Sequence, residues 1–362
     1  MDIIINQQKI QKALHGVERL VSKNNSLPIL NTILLKTDNG SLRLSATNLE
    51  MGINYWVGAK INKTGEIAVP VKVFSDFISN IQDEKILFSV NKNIITINSD
   101  NYKTQILGIG TSDFPLIPRL KGDLKFKIDS SKLRNGLLSV IDSVSLSETR
   151  LEISGVFVSV NENKIEFAAT DSFRLAEKTI ELNEGINKNF ILPRNTAVEL
   201  IKLTENLNED IVISISDNQI FAVSNDFEFV SRLIDGHYPD YKKVIPEKYI
   251  SAVKINKNVL EKNIRIASIF SSSISDIKLK AEKNNLQIVA QNNDKGDIVT
   301  NTACVVKNLP FEISVNYRYL LDGLKVFPSD DIVIQFTGEG SPLLLKSEEI
   351  KNQVYVIMPL RK

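Results

Sequence analysis

The sequence predicts an α+β protein built from three copies of one unit, because one helix pattern returns at a fixed distance. An amphipathic segment begins at Pro70, at Pro193 and at Asn316, and these positions are 123 residues apart. Apolar residues at helical spacing in each segment predict a helix with one buried face. Self-similarity at a single period is typical of a repeated structural unit.

Two further markers keep nearly the same period. The end of a strand-like run recurs at Thr47, Thr170 and Gln291. Another helix opens each unit, after an Asn or Asp whose side chain can accept hydrogen bonds from the first helical turn. These predicted N-caps are Asn6, Asp129 and Asn256. The six helix windows are 6–24, 71–81, 129–141, 193–204, 256–266 and 316–327.

Short alternating strands, about eight in each unit, are predicted between the helices. Clear examples are 41–46, 86–90, 94–98, 211–215, 277–281 and 332–336. At 362 residues the chain exceeds what one hydrophobic core usually organises. We therefore expect three domains, at residues 1–122, 123–249 and 250–362.

Composition excludes several classes of protein. No window approaches the roughly 18 uninterrupted apolar residues of a membrane helix. The N-terminus lacks the basic and apolar regions of a secretory signal, and the single Cys304 cannot form an internal disulfide. We expect a cytoplasmic protein with no membrane partner.

The charge of the chain is unevenly distributed. The helix windows carry 14 basic and six acidic side chains, a net +8, whereas the whole chain carries +1 and the remainder therefore −7. Exposed helix faces often favour Lys and Arg, and that explains any one helix. Six helices of one sign instead predict a common basic surface that contacts phosphates without reading sequence.

Groups suited to catalysis are scarce. His15 lies in a predicted helix, His237 lies in a turn, and no metal-binding, nucleophile-elbow or phosphate-loop motif occurs. Asp171 and Asp240 lie in turn-like contexts where capping is the commoner role. We expect neither an enzyme nor a cofactor or metal site.

Four further segments in order along the chain are distinctive: 26–30 (SLPIL), 169–176 (ATDSFRLA), 233–241 (LIDGHYPDY) and 355–361 (YVIMPLR). Together they resemble the bacterial DNA polymerase III beta subunit family. The resemblance implies three clamp-type domains, each with two helices packed on antiparallel sheets, that form half of a six-domain ring. It also implies a processivity factor that encircles duplex DNA.

The partners implied by the resemblance are double-stranded DNA, a second copy bound head to tail as a homodimer, the DNA polymerase III catalytic subunit, the clamp loader, repair polymerases and mismatch-repair proteins. It further implies a partner-peptide groove from two domains. Its residues would be Ile153, Thr170, Ser172, Arg174, Leu175, Pro239, Lys243, Val244, Ile274, Asn316, Tyr319, Val356, Ile357, Met358, Pro359 and Leu360. Pro359 cannot donate a ladder hydrogen bond, so the chain should leave the sheet there.

Two more sets of residues are predicted to bind. Phosphate contacts are expected from Lys9, Lys12, Lys23, Lys72, Lys132, Arg150, Arg194 and Lys202. A dimer contact is expected where the apolar strand 103–108 meets an apolar edge at 265–270, because open sheet edges need a partner. Its residues would be Lys103, Ile106, Ile269 and Phe270.

The chain departs from the family pattern at several positions. Phe173 stands where relatives often have His, and Lys243 where they often have Arg. Leu151 and Glu152 stand where some relatives have aromatic DNA-contacting residues, and the last residue, Lys362, is not apolar.

Two other functions remain open on the sequence. A protein-binding scaffold would have basic helices that do not share one concave surface. A hydrolase using Asp171 or His237 would need a convergent nucleophile and base, which the sequence does not supply.

Overall fold

A computed structural model describes residues 1–21, 26–119, 124–147, 149–216 and 218–360. Each predicted unit contains two α-helices and antiparallel strands in these ranges, as the sequence predicts. No α-helix in these ranges is long and apolar enough to cross a membrane.

The first unit has eight strands and two helices in the described ranges. The strands are β1 (Asp2–Asn6), β2 (Thr32–Asp38), β3 (Ser41–Thr47), β4 (Met51–Lys63), β5 (Glu66–Pro70), β6 (Lys85–Asn91), β7 (Ile94–Asn98) and β8 (Lys103–Leu107). The helices are α1 (Gln7–Val17) and α2 (Val71–Asn80). Asn6 accepts a hydrogen bond from Lys9 N and so caps α1. Helix α1 ends before residue 24, and a short 3₁₀ turn follows it.

The second unit repeats this order. Its strands are β9 (Leu124–Asp129), β10 (Gly155–Val160), β11 (Lys164–Thr170), β12 (Arg174–Glu181), β13 (Lys188–Pro193), β14 (Asp210–Ile215), β15 (Gln219–Val223) and β16 (Phe227–Arg232). Its helices are α3 (Ser130–Leu138) and α4 (Arg194–Leu203).

The third unit has nine described strands. They are β17 (Ser251–Asn256), β18 (Asp276–Glu282), β19 (Asn285–Asn292), β20 (Gly296–Ala303), β21 (Val305–Asn308), β22 (Phe311–Asn316), β23 (Asp331–Phe336), β24 (Leu343–Lys346) and β25 (Gln353–Ile357). Helices α5 (Lys257–Ser268) and α6 (Tyr317–Lys325) are capped by the side chains of Asn256 and Asn316.

Strand register shows how closely the first two units match. Leu34 pairs with Ser45 and Phe157 pairs with Ala168, a shift of 123 residues on both strands. The pairs Thr32 with Pro70 and Gly155 with Pro193 keep the same shift. Positions 123 residues apart in these strands therefore occupy equivalent places.

The strands of the second unit are divided between two sheets. Strands β9 and β14–β16 continue the sheet of the first unit, where β16 pairs with β4. Strands β10–β13 continue a sheet of the third unit, where β12 pairs with β25. The chain accordingly divides into two compact bodies, which do not coincide with the three repeated units. One comprises residues 1–130 and 202–233, and the other comprises residues 131–201 and 234–362. The predicted boundaries after residues 122 and 249 stay predictions.

Two residues predicted to lie at sheet edges, Ile106 and Ile269, are placed differently by the structure. Strand β8 lies at a sheet edge as expected, but Ile106 is only 6% exposed and points into the core, whereas Leu107 is 72% exposed. Side chains alternate along a strand, so only one of these neighbours can face outward. Residues 265–270 form no sheet edge, because they belong to the end of α5 and the turn after it.

Candidate functional site

The turn between β11 and β12 is fixed by its own side chains. Thr170 Oγ1 donates to the Arg174 carbonyl at 2.7 Å and accepts from Ser172 N at 3.1 Å. Asp171 Oδ1 accepts from the N–H groups of Phe173 and Arg174. These bonds hold Ser172 at a φ of 77°, in the left-handed region that such short polar loops use. The role of Asp171 is therefore capping, as the sequence predicts.

Arg174 leaves this turn into a set of fixed contacts. Its Nε–H donates to Asp171 at 2.9 Å, and its Nη1 donates to Asp322 at 2.6 Å. Its guanidinium also lies 4.7 Å from the centre of the Tyr319 ring. Burial disfavours the charged guanidinium and by itself would lower the pKa of Arg174. The interactions with Tyr355, Asp322 and Asp171 are stronger than this effect, so the pKa of Arg174 is raised. The site therefore contains a permanently charged, oriented cation.

The C-terminal segment forms the next wall. Strand β25 ends at Ile357, and residues 358–360 leave the sheet, as Pro359 predicts. Met358 N–H donates to the Phe173 carbonyl at 2.8 Å, and Leu360 N–H donates to the Ser314 carbonyl at 2.9 Å. Met358 is thereby held beside the β11–β12 turn, with its flexible thioether half-exposed.

The segment 239–244 forms the opposite wall. Tyr241 is buried against Leu175, Leu344 and Val356. Its neighbour Lys242 donates to Glu166 at 3.0 Å, which anchors the segment to β11. Val244, in contrast, remains 44% exposed at the rim.

A cavity of about 260 Å³ lies between these walls. It is lined by Arg150, Ile153, Thr170, Ser172, Arg174, Leu175, Pro239, Asp240, Tyr241, Val244, Val356 and Met358. Nine of these residues belong to the groove that the sequence predicts, so a site from two distant parts of the chain does form.

The other predicted groove residues lie around this cavity or beneath it. Ile357 is fully buried in β25, because its side chain points into the core, so its placement in the lining was wrong. The rings of Tyr319 and Phe173 stack with their centres 6.5 Å apart. Tyr319 is not in the lining itself, but its ring lies under the guanidinium of Arg174, which is. Asn316 caps α6 and donates to the Ile274 carbonyl. Lys243, Ile274, Pro359 and Leu360 are also outside the lining.

Three lining residues were absent from the predicted groove. Arg150, which was predicted as a phosphate contact, also lines the cavity, and its guanidinium donates to Ser172 Oγ at 3.1 Å. Asp240 and Tyr241 stand inside the DGHYPDY segment that already supplied Pro239. That segment was therefore the signal that could have identified both.

The remaining predicted phosphate contacts lie mainly on helices. Lys9 and Lys12 belong to α1, Lys72 to α2 and Lys132 to α3, and all four are exposed. Helix α4 carries Arg194, which is half-buried, and Lys202, which is exposed. Lys12 forms a 3.3 Å ion pair with Asp226, and such an exposed pair holds the lysine weakly. Lys23 lies outside the described residues.

The second predicted dimer patch is exposed. Ile269 is 61% exposed beside Ile266 at the end of α5, whereas Phe270 is half-buried. Helix α5 packs on β19 and β20, and β20 is the edge strand of its sheet. An open backbone edge and an apolar helix end therefore adjoin each other.

Comparison with known families identifies matching models along nearly the whole chain. The models describe the DNA polymerase III beta subunit, with its N-terminal domain matching residues 1–118, its central domain 127–240 and its C-terminal domain 242–361.

Known proteins match over their full length. The beta sliding clamp of Rickettsia bellii is 29% identical over 377 residues, covering 100% of both chains. That of Staphylococcus epidermidis is 27% identical, covering 100% of this chain and 99% of the relative. The sliding clamp of Bartonella birtlesii bound to griselimycin has a TM-score of 0.94 at 29% identity, with both chains covered completely. The Thermotoga maritima beta subunit has the same fold, with a TM-score of 0.94 at 24% identity and coverage of 100% and 99%.

Proposed function

Because the chain belongs to the DNA polymerase III beta subunit family, we propose that two copies close head to tail around duplex DNA and bind partner peptides in the groove. As a member of this family the chain is a sliding clamp and not an enzyme. The observation that carries the peptide proposal is the cavity beside Arg174, where a charged, oriented group adjoins apolar walls.

The internal repeats suggest how two copies pair. Within the chain, the last strand of one unit pairs antiparallel with the strand after the marker turn: β16 with β4, and β25 with β12. Among the strands that the structure describes, the corresponding ones without such a neighbour are β8 and β20, and both lie at sheet edges. We propose that β8 of one copy pairs with β20 of the other, with Leu107 packing near Ile269.

Charged substitutions test this pairing. Leu107→Asp combined with Ile269→Asp should give monomers in sedimentation at low micromolar concentration, because a carboxylate would be buried in the contact. Leu309→Asp is the control, since Leu309 is also exposed but belongs to neither β8 nor β20. A dimer that persists in the double variant would refute the pairing.

The affinity for DNA would depend on the positive charges of the protein, whereas retention on circular DNA would depend on closure of the ring. The exposed lysines of α1, α2 and α3, with Lys202 of α4, would contact phosphates without reading bases. Lys23, Arg194 and Arg150 complete the proposed set. Salt should therefore release free protein from short fragments, while a loaded ring stays on closed circular DNA. Equal loss from circular and linearised DNA would contradict encirclement.

The groove would receive short segments of the polymerase catalytic subunit, the clamp loader, repair polymerases and mismatch-repair proteins. A segment with a polar anchor and one or two large apolar side chains fits the lining, because Arg174 and Ser172 stand beside Leu175, Val356 and Met358. Ile274, Tyr319, Pro359 and Leu360 would extend the contact along the rim. Met358 can repack around different ligands.

Truncation after Ile357 tests the groove. Removing residues 358–362 deletes one wall without touching β25, so partner peptides and griselimycin should no longer bind. The dimer and its retention on circular DNA should be unchanged, which separates loss of the groove from loss of the fold. If the truncated protein folds and binds partner peptides with unchanged affinity, the proposed groove is wrong.

A further inference from the structure

The first unit contains a second cavity, of about 240 Å³, on the sheet formed by β2, β3 and β4. The segment 111–119 covers it. The lining consists of Leu34, Lys36, Arg43, Ser45, Asn54, Glu66, Thr111, Phe114, Pro115, Leu116, Ile117 and Arg119. This cavity has no part in the functions proposed above.

The cations of the lining exceed its acids. Lys36 and Glu66 form an ion pair at 2.6 Å, and Lys36 chiefly lowers the pKa of Glu66, so these two neutralise each other. Arg43 and Arg119 remain as two positive charges. Lys36 also pairs directly across the strands with Arg43, an arrangement in which like charges repel.

Arg43 is poorly satisfied by its surroundings. Its side chain is only 15% exposed, and among the described residues it forms one ion pair, a 3.5 Å contact from Nη1 to Asp38. Asp38 also accepts the Trp56 indole N–H at 3.1 Å. The Nε–H of Arg43 is buried and has no acceptor among the residues that the structure describes. Buried donors of this kind are normally paired.

The equivalent place in the second unit is filled by the chain itself. The 123-residue shift places Phe157 at the position of Leu34, and Glu166 at the position of Arg43. Phe157 stacks on Tyr238 at 5.0 Å and meets Tyr241 edge-on at 5.9 Å. Glu166 accepts from Lys164 at 2.8 Å and Lys242 at 3.0 Å. At this place the aromatic rings pack together and the charge of Glu166 is neutralised by two lysines.

We propose that the cavity of the first unit binds an oxyanion group, a carboxylate or a phosphate, through Arg43 and Arg119. The repeat supports this directly: where the second unit has an acid and a large aromatic ring, the first has a cation and a smaller Leu34. Guanidinium N–H groups form short, charge-assisted hydrogen bonds with the oxygens of such a group, and Arg43 and Arg119 would each supply one guanidinium.

The rest of the lining limits the size of the ligand. Leu34, Phe114 and Ile117 provide apolar surface beside the two arginines, so a short hydrocarbon body would be favourable. A volume of about 240 Å³ is below the usual range for drug-sized molecules. The site therefore suits one acidic group with a few carbons, or a bare phosphate.

The chain contains its own reporter for this site. Trp56 is the only tryptophan in the sequence, and it shares Asp38 with Arg43. An anion that draws Arg43 away from Asp38 should change the Trp56 emission. We would titrate the full-length protein with inorganic phosphate and with hexanoate, balancing ionic strength with chloride, and record fluorescence and the thermal midpoint.

At least one of the two anions should give a saturable change and raise the midpoint, since a ligand that binds only the folded state stabilises it. A response to phosphate alone assigns a phosphate site, and a response to hexanoate alone a carboxylate site with an apolar tail. Arg43→Gln should weaken the affinity at least tenfold. Arg119→Gln, at an exposed position, provides the same test if the first variant does not fold.

Leu34→Phe copies the second unit and should abolish binding by filling the cavity. Lys60→Gln is the control, because Lys60 is an exposed cation of β4 outside the lining. The proposal would be overturned if neither anion gave a response beyond that of chloride, or if Leu34→Phe and Arg119→Gln both responded as strongly as the unchanged protein.

Discussion

The turn after β3 and the turn after β11 have the same backbone but border different surfaces. Thr47 Oγ1 donates to the Met51 carbonyl and accepts from Leu49 N, as Thr170 does with Arg174 and Ser172. Leu49 has a φ of 74° and Ser172 one of 77°. The repeated framework is thus conserved within the chain down to individual hydrogen bonds.

The surfaces differ because two positions after each turn differ. Arg174 and Leu175 in the second unit correspond to Met51 and Gly52 in the first. A Cβ placed on Gly52 would lie 2.9 Å from Ile117 Cγ2, so Ile117 occupies the space above the glycine. Beside Leu175 the equivalent space remains partly open as the groove. A repeated fold can therefore acquire a binding site at one copy by changing a few side chains.

The largest effect should come from removing the charge that distinguishes the two turns. Arg174→Ala leaves Asp171 without its cation and leaves Asp322 paired with Lys325 alone. Breaking such a pair costs about 3–5 kcal/mol where the groups are buried. We expect partner-peptide affinity to fall at least about 100-fold, measured by fluorescence polarisation. Arg318→Ala is the control, since Arg318 is exposed on α6 and its side chain contacts Tyr317. Equal losses in both variants would contradict a specific role for Arg174.

The next largest effect should come from placing a leucine at Gly52, the position of the first unit that corresponds to Leu175 of the groove. Gly52→Leu should lower the free energy of unfolding by about 1–3 kcal/mol, because Ile117 and Val230 leave no room for the side chain. Gly58→Leu on the same strand should cost far less, since no atom lies within 4 Å of its Cβ position. Urea denaturation of the two variants compares them directly. Equal stability would show that Ile117 does not fill this space.

A pH-dependent effect should follow from the ion pairs beneath the groove wall. Burial alone would raise the pKa of Glu166, but Lys164 and Lys242 outweigh it and lower the pKa below 4.5. Stability from this carboxylate is present above pH 4.5 and is lost as pH falls through the folded value. Glu166→Gln should therefore destabilise the protein by about 1–2 kcal/mol at pH 7 and less at pH 3.

Thermal unfolding across that pH range is the measurement. Glu348→Gln is the matched control, because Glu348 also pairs with a lysine but is exposed. A Glu166→Gln cost that does not change with pH would contradict the proposed ion pairs.

The smallest effect concerns the rim. Phe173 is 60% exposed, stacks on Tyr319 and corresponds to Glu50 of the first unit. Phe173→Glu should reduce peptide affinity about threefold, since an exposed aromatic pair contributes roughly 0.5–1 kcal/mol. Isothermal titration can resolve that change. A loss as large as that of Arg174→Ala would place Phe173 at the centre of the site instead.

Helices and strands could be predicted from the sequence because their signals are local, whereas the groove residues were implied by the resemblance of four segments to a known family. Amphipathic spacing fixed α1 to α6 within a few residues, although α1 ends before residue 24. The sequence did not indicate which of the neighbouring apolar side chains of Ile106 and Leu107 is buried, since that depends on how β8 is placed in its sheet. The space above Gly52 was equally hidden, because Ile117 reaches it from an irregular segment without periodicity.

The cationic cavity was hidden for another reason. Arg43 and Arg119 are far apart in the chain, and neither belongs to a motif. The register of β3 on β2 matches that of β11 on β10, and this match shows that the first unit has Arg43 where the second has Glu166. A net charge of +1 conceals such local exchanges.

The C-terminal wall of the groove should behave as a fluctuating element. Beyond β25, residues 358–360 include two backbone hydrogen bonds, from Met358 to Phe173 and from Leu360 to Ser314. Segments held by so few bonds open locally at much lower free energy than sheet strands. Their amide hydrogens should exchange with deuterium quickly in the free protein, while those of β25 exchange slowly. A bound peptide would slow the exchange of these two amides, so part of its binding free energy would be spent on ordering the wall it touches.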